Sequence, residues 1–483
     1  MTTSTESMKD LDTLVDSFLD YALSHGLTVR PGSFENPRKT FGEHAPITLF
    51  PSKFPATAFE EACQIQELYN ELYAAISRDE DWLGSVMNEL AKVDTFVGRL
   101  WKLHKEVKDE GITQPLSLGL FRSDYILHVS SPSELQSPVI KQVEFNTVAA
   151  SFAGLATKVA EAHAYFQRSG SYEPIVSIPA SSIAENHALD GLATGLAKAH
   201  QAYGVSDAKI LFVVQHDERN IFDQRWLEYR LFEKFSDFCL GKSTDHRETS
   251  VSMEEKTRKL LLEASPTLQE ISVVYLRAGY GPDDYSTEQD WQTRALLERS
   301  HAIKCPSIAT QLAGTKKVQQ VLAKEGIVER FIKSRTAVKR LCDTFAGLYP
   351  LDDSFSGIRG RELAFACPEF HVLKPQREGG GNNVYRRSIP EFLQRLPQAQ
   401  WSAYILMELI SAPVSENTLL RNGVPVHMAV IDEIGIYGAV LWNTQETVWN
   451  SGCCGYLVRT KSTDSQEGGV AAGYGCLSSL QRV

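Results

Sequence analysis

The sequence predicts a mixed α+β protein with a β-rich lid, on three observations. The N-terminal quarter carries apolar stripes at helical spacing. The middle alternates buried-strand runs with a helical stretch. The last third breaks into short strands around two glycine-rich loops. At 483 residues the chain is long enough for roughly two to four compact units.

Residues 1–110 read mainly as helix: Phe59, Cys63, Leu68 and Leu72, with Ala62, Ile65 and Tyr69 beside them, recur every three to four positions. Residues 141–147 alternate polar and apolar, as a strand does, and the small-residue run 149–154 leads into a helix. Residues 209–214 form a continuous apolar run typical of a buried strand. A polar turn over 215–220 and a helical stretch with Phe222, Trp226, Tyr229 and Phe232 follow. Residues 271–276 are a second buried strand, so strand–helix–strand order implies parallel pairing within 207–310. Further on, 371–375 and 403–408 read as short strands, and 426–433 with 437–442 as the two arms of a β-hairpin.

Composition excludes several function classes. With 49 Lys plus Arg against 60 Asp plus Glu, the net charge is −11, the wrong sign for a protein whose main task is gripping nucleic acid. No apolar run is long enough for a membrane span, and the first residues lack the apolar core of a signal peptide, so a reduced cytosolic setting is expected. The eight cysteines are too sparse for a disulfide scaffold and form no C-x-x-C pair. Most are expected to be buried as small hydrophobes.

Chemistry concentrates in a few segments. In Lys374-Pro-Gln-Arg-Glu-Gly-Gly-Gly-Asn-Asn-Val-Tyr385, three glycines expose backbone N–H groups beside two cations, which suits phosphate oxygens. Glu378, directly before the glycines, suits a Mg²⁺ bridging those oxygens. The loop is not a Walker motif, and a flexible surface hairpin is an equal alternative on composition alone. Between 371 and 387, Lys374, Arg377, Arg386 and Arg387 face the single acid Glu378, which places an excess of positive charge there. Glu144 and Asn146, two apart on a strand, present hard oxygens on one side. Taken alone, a solvated strand face is the better account of them. Arg122, Glu218 with Asn220 and Gln224, and Arg277 with Tyr280 each lie near the end of a strand-like run, where α/β sheets bind ligands. Each singly reads as a surface ion pair. Arg459 and Lys461 precede the second glycine-rich loop, 468–475.

Together, Glu144-Phe-Asn-Thr147, Glu218-Arg-Asn-Ile-Phe-Asp-Gln224, Ala309-Thr-Gln-Leu-Ala-Gly-Thr-Lys-Lys-Val318, the 374–383 loop, Arg459-Thr-Lys461 and Gly468-Gly-Val-Ala-Ala-Gly473 closely resemble eukaryotic glutathione synthetases. The resemblance implies an ATP-grasp architecture and a cytosolic homodimer that joins γ-glutamylcysteine to glycine with ATP. It implies a main domain from 1–206 and 311–483, an inserted α/β substrate domain at 207–310 and a lid at about 365–425. Glu144, Asn146 and Glu378 then resemble the Mg²⁺ ligands. Lys316, Lys374, Lys461, Gly379, Gly380, Asn383 and Tyr385 resemble the phosphate contacts. Met407, Glu408, Leu409 and Ile410 resemble the adenine clamp, with Glu433 and Glu467 as further nucleotide contacts. Arg122, Ala149, Ala150, Ser151, Glu218, Asn220, Gln224, Arg277 and Tyr280 correspond to the dipeptide site, and Arg459, Val470 and Ala471 to its glycine end. Arg459, Lys374 and Lys461 are the implied catalytic cations.

Three positions depart from the family pattern: Ala149 where Ser is common, and Ala278 and Glu467 where Asp is common. The missing hydroxyl at Ala149 corresponds to about 0.5–1.5 kcal/mol of one hydrogen bond. Two rival readings are a ligase of the same mechanism with another acceptor, such as β-alanine, and a non-catalytic ATP-binding module. The second rival is expected to have lost metal ligands or phosphate lysines, and this chain has them.

Overall fold

A computed structural model describes residues 5–31, 41–130, 138–216, 218–235, 243–245, 251–264, 267–379, 381–466, 468–470 and 473–483. The chain opens in helices, among them α1 (Thr5–Ser24) and α2 (Ala56–Arg78). In α2 the predicted stripe is real: Ala62, Ile65, Tyr69 and Leu72 are buried, while Phe59, Cys63 and Leu68 pack at its half-buried edge. Its apolar face lies on a mixed sheet of 13 strands, the feature that organises the molecule.

Strand β1 (Ser117–His128) sits inside that sheet. On one edge it pairs antiparallel with β8 (Val424–Trp442); on the other it pairs antiparallel with β2 (Val139–Asn146). Strands β3 (Lys209–Val214) and β5 (Ile303–Cys305) run parallel to β4 (Thr267–Leu276), the parallel pairing expected from their apolar runs. Strand β5 also touches β1, so these strands continue the same sheet. Helices α3 (Ala153–Arg168) and α4 (Ile221–Lys234) follow β2 and β3 respectively. One large apolar core forms around α2, and a second around α1 and α3.

A smaller four-stranded sheet stands apart, containing β6 (His371–Pro375) and β7 (Tyr404–Glu408). Leu351, Ala364, Leu373, Ile389, Leu393 and Leu406 give it its own core.

Three expectations need correction. The predicted hairpin over 426–442 is one continuous strand, β8, which pairs antiparallel with β9 (Thr447–Ser462). Gly435, between the two expected arms, lies close against β1: a Cβ there would lie 2.6 Å from Asp124 Oδ1 and 2.7 Å from Arg122 Cδ. Arg122 lies in the interior of β1 and not at a strand end. Among the seven described cysteines only Cys305 and Cys476 are buried; Cys342 is exposed, and Cys63, Cys367, Cys453 and Cys454 are half-buried. Among the described residues no helix is long and apolar enough to cross a membrane.

Candidate active site

A cleft of about 790 Å³ separates the small sheet from the central one. It is walled by residues of β1, β2, β6, β7, β8 and β9, together with the segments after β3 and β4.

The floor is a buried charge network. Period-two alternation along β1 places Arg122 and Asp124 on one face. Arg122 Nε and Nη2 donate to the Asp124 carboxylate at 2.6 and 2.9 Å. Arg459, reaching from β9, donates to the same carboxylate at 2.9 Å and also to Glu433. Burial works against both guanidinium charges, but the neighbouring carboxylates overcome it and keep both cations firmly protonated.

Above this floor Lys316 Nζ lies 3.0 Å from both Glu144 and Glu378. One carboxylate comes from β2 and the other from the glycine-rich loop after β6, so a single cation joins the central sheet to that loop. Burial would raise both carboxyl pKa values. For Glu144 the charges of Lys316, Lys374 and Arg459 prevail and hold it well below the usual range. For Glu378 burial prevails, reinforced by the negative Glu144, and its pKa is raised. Lys374, buried in β6, donates to Val143 O at 2.9 Å, where a bulge interrupts the β1–β2 ladder. Asn146 spends its amide nitrogen on Arg122 O and Asp124, and its side-chain oxygen takes no part in either bond. Lys461 donates to Gln466 O at 2.7 Å. The described residues contain no cluster of three or more His, Cys, Asp or Glu set for a metal ion. A cation here would rest on two carboxylates and an amide.

At one end of the cleft, residues 148–152 turn sharply, with Ala149 at φ 51° and Phe152 at φ 75°. Asp223 of α4 holds the turn by accepting from Phe152 N, Gly154 N and Leu155 N at 2.7, 2.8 and 3.2 Å. Ser151 O accepts from Arg122 and from the Tyr437 hydroxyl. Arg277 donates to Ala150 O and to Asp223. Asn220 and Gln224 are buried here, yet Asn220 Oδ1 and both polar atoms of the Gln224 amide have no partner. Native proteins seldom bury orphaned polar atoms, so this end is built for a polar ligand.

At the other end, Met407, Glu408, Leu409 and Ile410 meet Asn383, Tyr385 and Gly379. Glu408 N and Leu409 N already donate to Gly347 O and Phe370 O. Gly379 needs its φ of 83°, which other residues rarely adopt.

The cleft wall therefore holds most of the predicted residues, including Ala149, Glu218, Tyr280 and Val470. Ala150, Gln224 and Lys316 do not line the cleft. Gly380, Glu467 and Ala471 lie outside the described residues. The expected excess of cations over 371–387 is weaker than the sequence implied, because Arg377 turns away to Asp94 at 2.6 Å. Two anchors escaped the sequence reading, Asp124 and Asp223. Their signals were present: Asp124 is two residues from Arg122 on a strand, and Asp223 lies inside the 218–224 block.

A family model described as eukaryotic glutathione synthase, ATP binding domain, matches residues 8–481. The chain belongs to the eukaryotic glutathione synthase family. Among its relatives, the glutathione synthetase large chain of Schizosaccharomyces pombe is 42% identical, with 96% of each chain covered. The Homo sapiens glutathione synthetase is 40% identical over 98% of this chain and 97% of its own. A chloroplastic glutathione synthetase of Solanum lycopersicum is 38% identical over 91% of this chain and 78% of its own. The apo structure of a glutathione synthetase-like effector from Globodera pallida superposes with a TM-score of 0.75, covering 98% of this chain and 97% of that one. At 21% identity that structure speaks for the shared fold of the glutathione synthases.

Proposed function

We propose that this protein is an ATP-dependent glutathione synthetase, joining γ-glutamylcysteine to glycine and releasing ADP and phosphate. Family membership supports the reaction. The observation that carries it at the site is the Lys316 bridge: two carboxylates, from sheet and lid, gathered around one positive charge. We read the fold as an ATP-grasp architecture, with the substrate domain at 207–310 and the lid at about 365–425 as the resemblance places them. We take the protein to be cytosolic and homodimeric.

The cysteinyl carboxylate is a poor electrophile. Transfer of the γ-phosphoryl group makes it an acyl phosphate, and the glycine amine displaces the phosphate. Such transfer asks the protein mainly for positioning and charge neutralisation. Lys316, Lys374 and Lys461 hold phosphate oxygens, and Arg459 holds the carboxylates near the acceptor. Asn220 and Arg277, which line the cleft, bind the dipeptide, with the orphaned Gln224 amide behind them. Met407 to Ile410, at the end of β7, clamp the adenine. Glu144, Glu378 and the Asn146 oxygen fit Mg²⁺, a hard cation that takes oxygen ligands. When bound, Mg²⁺ neutralises charge on the phosphate oxygens. Closure of the lid excludes water that would hydrolyse the acyl phosphate.

The test is phosphate release from Mg-ATP with γ-glutamylcysteine and either glycine or β-alanine. Release should require the dipeptide and be driven best by glycine. Release indifferent to the dipeptide, or faster with β-alanine, would overturn the assignment.

A further inference from the structure

Away from the cleft, α2 lies along β9, and two thiols meet there. The Sγ atoms of Cys63 and Cys453 are 3.1 Å apart, inside ordinary non-bonded contact of about 3.5–4.0 Å. Both residues are half-buried, so neither is sealed in the core. Their approach is fixed by neighbours on the same helix face. Asn70, two turns along α2, donates to Asn450 Oδ1 at 2.8 Å, and Asn450 donates to Glu67 O at 3.2 Å. Gly452 N also donates to Asn450 Oδ1 at 3.0 Å. The helix is thus pinned in register on the strand, with Cys63 over Cys453. Cys454 points to the other face of the strand, where its side chain fills the space beside Gly191. It does not compete for Cys63. The mutual contact and burial raise the Cys63 thiol, while the contact draws Cys453 down, so Cys453 gives up its proton first.

We propose that Cys63 and Cys453 form a reversible oxidation site for low-molecular-weight disulfides of the glutathione class. The Cys453 thiolate attacks one sulfur of the reagent disulfide, forming a mixed disulfide and releasing one thiolate. Cys63 then attacks the Cys453 sulfur, forming the protein disulfide and releasing the second thiolate. The two protein thiols give up two electrons to the reagent disulfide, and their two protons pass to the two departing thiolates. Closing the pair to the ~2.05 Å of a disulfide asks for about 1 Å of movement. The cross-link ties α2, whose Tyr73 stacks on Phe145 between Glu144 and Asn146, to the strand that carries Arg459 and Lys461. It also joins positions 390 residues apart, so it constrains the unfolded chain strongly. Glutathione disulfide is the oxidised form of the product in the proposed reaction. The exchange itself does not rest on that reading, because counting thiols needs no ligase assay.

The full-length protein is incubated with excess glutathione disulfide, the remaining thiols are alkylated, and the peptides are mapped by mass spectrometry. The expected result is a Cys63–Cys453 linked peptide, loss of both thiols to alkylation, recovery with dithiothreitol and a higher melting temperature for the oxidised protein. Cys63→Ser should retain the wild-type reaction rate when reduced, showing that it folds. With the resolving thiol gone, it should accumulate an unresolved mixed disulfide on Cys453. A wild-type protein that retains a stable mixed disulfide, or in which both thiols stay alkylatable while Cys342 reacts, overturns the proposal.

Discussion

Asp124 shows how much the site depends on one carboxylate. Its side chain is 0% exposed and accepts from two guanidinium groups, Arg122 and Arg459. Removing one partner of a buried ion pair leaves uncompensated charge, which costs about 3–5 kcal/mol. Asp124→Asn should therefore lower stability on that scale in urea unfolding, and an unchanged midpoint would show the network to be dispensable. Glu378→Gln should behave differently, because Lys316 keeps Glu144 as partner. Its melting temperature should stay close to wild type. Turnover should drop by ~10² or more, the scale of losing one charge-stabilising group, and the Mg²⁺ needed for half-maximal rate should rise. A fully active variant would remove Glu378 from the metal site.

Elements were legible where one periodicity ruled. The α2 stripe, the β2 alternation and the apolar runs of β3 and β4 all appear in the structure. The miss at 426–442 has a physical cause: a glycine that lets β8 lie close against the Arg122 and Asp124 side chains has the same letter as one that makes a turn. Periodicity also could not show that α3 buries a histidine. His163 is 0% exposed, placed between Thr48 and Ser479. Thr48 O can only accept, so Nε2 carries the proton and Nδ1 accepts from the Ser479 hydroxyl. Burial pushes its pKa down from 6.5 to about 4. The unfolded chain then takes up a proton below 6.5 while the folded chain does not. The stability this neutral histidine carries is full above 6.5 and is lost as pH falls towards 4, by about 3 kcal/mol at most. Urea midpoints measured across that range should fall more steeply for the wild type than for His163→Gln. Parallel slopes would mean that His163 titrates normally.

At the scale of the whole molecule, the proposed reaction sets a charge problem. The chain carries −11 overall, yet the proposed ligands are polyanions. The cleft wall holds Arg122, Arg219, Arg277, Lys374, Arg386, Arg459 and Lys461 against Glu144, Glu218, Glu378, Glu408, Glu433 and Asp464, seven cations to six acids. Of the cations read between 371 and 387, Lys374 and Arg386 line the cleft while Arg377 and Arg387 do not, and most of the acids opposite them come from other parts of the chain. A nearly neutral cleft cannot hold a triphosphate by net charge. On the proposed function it exchanges internal ion pairs for phosphate contacts and takes a divalent cation between Glu144 and Glu378. The same residues join the central sheet to the glycine-rich loop, so on the proposed lid assignment nucleotide binding and lid closure should be one event that depends on Mg²⁺. Amide hydrogen exchange tests this with a non-hydrolysable ATP analogue. With Mg²⁺ at about a hundred times the dissociation constant of the complex, segments 371–379 and 404–410 should exchange up to ~10²-fold more slowly, while the core under α2 should change little. The analogue without Mg²⁺ should protect them far less. Equal protection with and without the metal would mean that the lysines alone close the lid, and that the two carboxylates serve only to hold Lys316.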